Sequence, residues 1–132
     1  MLLSLIVGAA ALFQARGSLI KTSAEPQTMT KRSGFYCNIK ALKPTERVHH
    51  ALLTVKLIAA RKETVETANG YEFQFSPSNV SLAELADWVA AEAKCCPFFD
   101  FHIDLERKGR SIRLRLTGED GVKEFIRAEF GL

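Results

Sequence analysis

Three cysteines in 132 residues are too few for a disulfide scaffold, and the odd count leaves at least one thiol unpaired in a monomer. No C-x-x-C pair is present, which removes the sequence basis for thioredoxin-type redox chemistry. Charge of one sign is scarce as well. Eighteen Lys and Arg against fifteen Asp and Glu leave a formal +3, scattered along the chain, so the electrostatic footprint of a nucleic-acid binder is missing. No apolar stretch reaches the roughly 20 residues of a membrane-spanning helix, which excludes a stable span. HExxH, a serine-nucleophile motif and a dinucleotide fingerprint are also absent. Residues 116–122, LTGEDGV, resemble a phosphate loop only loosely: the Lys-Ser/Thr pair is missing, and Glu119 and Asp120 would repel phosphate. This stretch reads instead as a strand-to-helix turn with Asp120 as the cap.

What is there has the composition of one folded domain, 47% hydrophobic and 25% charged, long enough to bury a core. The first 24 residues read separately. Leu2 to Phe13 form a twelve-residue run without a charge, the length of a signal-peptide core. Small residues at cleavage-compatible spacing follow, Ala15 and Gly17 or Thr22 and Ala24. No Lys or Arg precedes the run, so an internal start at Met29 competes with export, and an uncleaved anchor is the third option. The expected localisation is periplasmic or extracellular if residues 1–24 are a leader, and cytoplasmic if translation starts at Met29. Residues 25–34 read as a linker and 35–132 as a single α+β domain.

Within that domain Pro44-Thr45 opens a helix, with Thr45 as N-cap and Val48, Ala51, Leu52, Val55 and Ala59 as its apolar stripe, ending near Ile58. RKETVET is β-branched, Asn69-Gly70 is a hairpin turn, and YEFQF alternates strictly, with Tyr71, Phe73 and Phe75 on the buried side. Ser81 and Glu84 form a capping box before a helix that Pro97 ends. FFDFHIDLE alternates again, placing Phe99, Phe101, Ile103 and Leu105 inward. After a turn at Lys108-Gly109, SIRLRLT does the same with Ile112, Leu114 and Leu116. The last segment places Val122, Phe125, Ile126 and Phe130 on one helical stripe. The order is α-ββα-ββα, a permuted ferredoxin-like arrangement with one four-stranded antiparallel sheet and the helices on one face. Glu72, Gln74, His102, Asp104, Arg113 and Arg115 belong to the open face, where solvated cross-strand ion pairs are expected.

The segment CCPFFDF carries the chemistry. Cys96 falls on the stripe of Leu82, Leu85, Val89 and Ala93 and faces the core, whereas Cys95 falls on the flank beside Trp88 and Glu92, near the surface. Both are adequate as small apolar fillers of a helix end. The peptide between neighbours strains a mutual disulfide, but two adjacent sulfurs can reach one soft cation such as Hg(II), Cu(I), Zn(II) or As(III). The negative end of the helix dipole works against the thiolates. Cys37, in an extended segment, and His50 or His49, on the first helix, supply further ligand types for zinc or a softer ion. A disulfide from Cys37 to Cys95 or to Cys96 competes with that ligation in an exported protein. His102 reads as a surface residue.

FYCNIKALKPTERVHH, GYEFQF, CCPFFDFHI and LRLTGEDGVKEFI, in this order, resemble a family of small uncharacterised bacterial proteins with a C-C-P-F segment and an L-T-G-x-x-G-V-K-x-F ending. The likeness covers about residues 35 to 130. It implies that Cys37, Arg47, His50, Cys95 and Cys96 are the positions to test, and some such proteins accompany metal-resistance genes.

The leading expectation is a domain that binds a soft metal or metalloid through Cys95 and Cys96, with Cys37 and His50 helping. The alternatives are a structural or interaction module without ligand, its open sheet face a surface for a homodimer, and a cysteine-dependent enzyme with Cys95 as nucleophile and His49 or His50 as base.

Overall fold

A computed structural model describes residues 34–132; the leader, the Met29 start and the linker up to residue 33 lie outside the described residues. After a short 3-10 turn, Ile39–Ala41, come α1 (Pro44–Ala60), β1 (Glu63–Thr67), β2 (Gly70–Phe75), α2 (Leu82–Cys95), β3 (Asp100–Glu106), β4 (Ser111–Thr117) and α3 (Val122–Phe130). This is the α-ββα-ββα order of an α+β fold. The four strands form one antiparallel sheet in the order β1-β2-β4-β3, so the two hairpins meet along β2 and β4.

Alternation in β2 and β4 follows from having one dry face and one wet one. Phe73 pairs across the ladder with Leu114, and Tyr71 with Leu116, all four buried. Their neighbours Glu72, Gln74, Arg113 and Arg115 stay partly exposed. Arg113 reaches Glu72 at 3.0 Å and Glu106 at 3.1 Å, a cross-strand arrangement of the kind the sequence implies. On the dry face Phe73 stacks on Phe130 of α3, with ring centroids 4.7 Å apart, and Trp88 of α2 meets Phe130 edge-on. Burying side chains of this size stabilises the fold by about 1.5–3 kcal/mol each. Leu105 departs from the inward set: β3 is an edge strand, and its end leaves Leu105 53% exposed.

Local chemistry explains several boundaries. The Ser81–Glu84 capping box forms as expected: Glu84 N–H donates to Ser81 Oγ at 3.2 Å, and Ser81 N–H donates to the Glu84 carboxylate at 2.9 Å. Helix α1 is capped differently from expectation. Lys43, not Thr45, occupies the N-cap, because Pro44 suits the first helical position, and Glu46 accepts from the Lys43 N–H at 2.7 Å. Asp120 does not cap α3; Gly121, with φ 95°, holds that position in the left-handed region. The first hairpin turns at Ala68-Asn69, since Thr67 pairs directly with Gly70. Glycine is required at 70 for a different reason: a Cβ there would overlap the Leu116 carbonyl on the neighbouring strand.

Two helices are rotated from the phases their apolar residues suggest. In α1 the buried residues are His50, Leu53 and Leu57, while Val48, Leu52 and Val55 are exposed, nearly the opposite face. In α2 the buried line is Leu85, Trp88, Glu92 and Cys95, about a quarter-turn from the Leu82–Val89–Ala93 stripe. These rotations decide what meets inside the domain. Among the described residues no helix is long and apolar enough to cross a membrane.

Candidate functional site

Four chain segments converge at the C-terminal end of α2. Helix α2 contributes Glu92 and Cys95 one turn apart, and Cys96 follows as its C-cap. Pro97 restricts Cys96 to non-helical backbone (φ −125°, ψ 67°), which ends the helix there. The extended segment before the 3-10 turn runs past this end. Asn38 N–H donates to the Cys95 carbonyl at 2.8 Å, one of the carbonyls a helix end leaves unpaired. That contact brings Cys37 against Cys96, and the two are joined in a disulfide with a Cα–Cα distance of 4.8 Å. Cys95 is the free thiol, 3.9 Å from Cys96 Sγ.

The expected placement of Cys95 on an exposed flank is therefore corrected. Cys95 is buried together with Cys96, because the rotation of α2 aligns it with Trp88 and Glu92 on the inner line. His50 reaches the same place from α1. Its Nε2 lies 2.6 Å from Glu92 Oε2, and its ring stacks on Trp88 with centroids 5.7 Å apart. Trp88 is fixed in turn: its indole N–H donates to Thr54 Oγ1, whose hydroxyl donates to the His50 carbonyl. His49, one residue away, is exposed and near Asp87 on the outer side of the helix pair. Arg47 Nε donates to the Leu42 carbonyl at 3.0 Å and ties α1 to the preceding loop instead of entering the cluster. His102 is exposed on the open sheet face.

Two members escaped the sequence reading, Glu92 and Glu129. Glu92 is completely buried. Its carboxylate faces His50, Cys95 (3.8 Å) and Cys37 (3.9 Å). Glu129, from α3, approaches Cys37 at 4.0 Å. A charged residue in a helix ordinarily signals the wet face. The available signal was the spacing of Glu92 from Leu85, Trp88 and Cys95, which puts it on their line.

The electrostatics follow from burial. Desolvation, with the charge and hydrogen bonding of Glu92 added, pushes the Glu129 carboxyl up to about 8. Desolvation first, then the nearby Glu92 and Glu129, pushes the Cys95 thiol up to about 12. Of three buried side-chain polar atoms without a hydrogen-bond partner among the described residues, two belong here, His50 Nδ1 and Glu129 Oε2. Ligand-type atoms gather in overlapping sets, each with all its members within 4.8 Å of one another: Cys37, Cys95 and Cys96; Cys37, Glu92, Cys96 and Glu129; His50, Glu92 and Cys95. The adjacent Cys95 and Cys96 can thus serve as ligands to a metal, while the disulfide engages one of them. What the fold and the cluster define is an α+β domain with a buried cysteine–carboxylate–histidine centre between its first two helices. Compared with known proteins, the chain matches no family model, no curated protein and no solved structure.

Proposed function

We propose that the reduced domain binds a thiophilic metal or metalloid ion, such as Hg(II), Cu(I), As(III) or Zn(II), through Cys37, Cys95 and Cys96. The observation that carries this reading is the convergence of the three sulfurs within 4.8 Å, close enough for one ion to draw them into contact. Reduction of the Cys37–Cys96 disulfide is the precondition, because a disulfide sulfur is a poor ligand. The surroundings support a cation over a nucleophile. Burial first, and then Glu92 and Glu129 beside it, keep the Cys95 thiol protonated. A nucleophile would have to ionise there unaided, whereas a bound cation displaces the proton itself. A bound cation would compensate the same carboxylates.

Native mass spectrometry of the reduced and oxidised protein, with Hg(II) or As(III) added, tests this. The reduced form should gain one ion per chain, and Cys95→Ala/Cys96→Ala should lose it. Failure of the reduced wild type to retain either ion sinks the reading.

A second reading, an interaction module, is favoured by the exposure of Val48, Leu52 and Val55 along one face of α1. A Leu52→Glu change that leaves sedimentation behaviour unaltered at high protein concentration counts against self-association through that face.

A further inference from the structure

We infer that the disulfide form of the domain keeps a second metal site, formed by His50, Glu92 and Cys95 and sharing only Cys95 with the first, suited to a borderline divalent ion of the Zn(II) class. This site does not rest on the soft-ion reading, since it uses neither Cys37 nor Cys96.

With the Cys37–Cys96 disulfide closed, one thiol, one imidazole and one carboxylate remain, all three buried and mutually within 4.8 Å. One sulfur, one nitrogen and one oxygen donor match the mixed coordination Zn(II) accepts, whereas a purely soft ion prefers several thiolates. The donors stand on rigid elements. Glu92 and Cys95 lie at i and i+3 on α2, and His50 faces them from α1 with its ring held by Trp88. Tetrahedral bonds of about 2.0–2.1 Å to N and O and about 2.3 Å to S place an N and an O donor roughly 3.3 Å apart, and an O and an S donor roughly 3.6 Å. Glu92 Oε2 to Cys95 Sγ, at 3.8 Å, is already close to that spacing. His50 Nε2 to Glu92 Oε2, at 2.6 Å, must open by roughly 0.7 Å as an ion replaces the hydrogen bond between them.

Charge closes as well. One carboxylate and one thiolate neutralise a divalent ion. For Nε2 to ligate, the proton it shares with Glu92 must leave that hydrogen bond, and His50 Nδ1, an atom with no other partner, takes it, so the imidazole ligates neutral. The Cys95 thiol releases its own proton to solvent on binding. A neutral assembly is the kind of charge group a buried position tolerates. The Glu129 carboxyl borders Glu92, and its Oε2 has no hydrogen-bond partner.

The full chain, oxidised and free of reductant, is titrated with Zn(II) against a chromophoric chelator and with Co(II) as a spectroscopic probe. One ion per chain and a thiolate-to-cobalt charge-transfer band are expected. Cys95→Ser should abolish the band, and His50→Ala or Glu92→Gln should weaken Zn(II) binding by at least about 100-fold, beyond the effect of losing an outer partner. Cys37→Ser/Cys96→Ser removes the disulfide and two of the three thiols yet keeps this trio. It should retain the cobalt band while losing the Hg(II) and As(III) chelation of the reduced wild type. That variant separates the two sites, so either can fail alone. If it does not fold, as judged by circular dichroism, oxidised wild type against Cys95→Ser decides the matter. No Zn(II) uptake by the oxidised wild type, or uptake unchanged in Cys95→Ser and His50→Ala, overturns the inference.

Discussion

His50 Nε2 and Glu92 Oε2 lie 2.6 Å apart in the interior, linking α1 to α2 through two side chains that are both almost fully buried. A buried pair of this kind costs desolvation to form. Removing one partner is nevertheless expensive, about 3–5 kcal/mol, because the other is left without compensation. His50→Leu and Glu92→Leu should each destabilise by roughly that amount in urea unfolding. The double variant should cost less than the sum, with coupling of about 0.5–3 kcal/mol. Strict additivity would show that the two side chains do not interact.

The disulfide closes a separation of 59 residues, from the segment before α1 to the end of α2. In the chain-entropy account a loop of that size stabilises by about 4 kcal/mol through restriction of the unfolded chain. Cys37→Ser should lower stability by about 2–4 kcal/mol relative to the oxidised wild type, and reduction of the wild type should produce a similar drop. An unchanged denaturation midpoint on adding reductant would mean that no such bond forms in solution.

Burial raises the Glu129 carboxyl from its ordinary 4.5 to about 8. The folded chain therefore holds a proton that the unfolded chain releases. The stability linked to this group is fully present below pH 4.5 and is lost as pH rises towards 8. Glu129→Gln, which cannot ionise, should be more stable than the wild type at pH 8 by about 1–3 kcal/mol. The difference should shrink towards pH 4.5. Thermal melts across that range with a chelator present measure it, and a gap independent of pH would assign the effect to something other than ionisation.

The two faces of α1 should respond oppositely to substitution. Leu53 and Leu57 are buried, so truncating either to Ala should cost about 2–5 kcal/mol. Leu52→Gln and Val55→Thr should stay within about 0.5 kcal/mol of wild type, since both side chains are about two-thirds exposed. The reverse ranking would place the helix the other way round.

The mistaken phase of α1 shows where sequence reading ended. The helix has apolar residues on both faces, so periodicity alone cannot choose between them, and His50 made the correct face look like the wet one. Glu92 misled in the same way. Its charge suggests solvent, whereas its position relative to Leu85 and Trp88 puts it inside.

By itself, the sequence determined the element order, the Ser81–Glu84 cap, the alternation in β2 and β4, and the stripe of α3, because each depends on residues within a few positions of one another. It also marked Cys37, His50, Cys95 and Cys96 as candidates from residue type. Tertiary structure alone decided that Cys37 pairs with Cys96 and leaves Cys95 free. It also decided that Glu92 and Glu129 enter the cluster. Those outcomes depend on how helices rotate against their neighbours over separations of up to 92 residues. Across the interior Trp88 of α2 packs against Phe130 of α3, and Phe130 against Phe73 of β2, so the rotation of these helices is fixed only once separate elements meet.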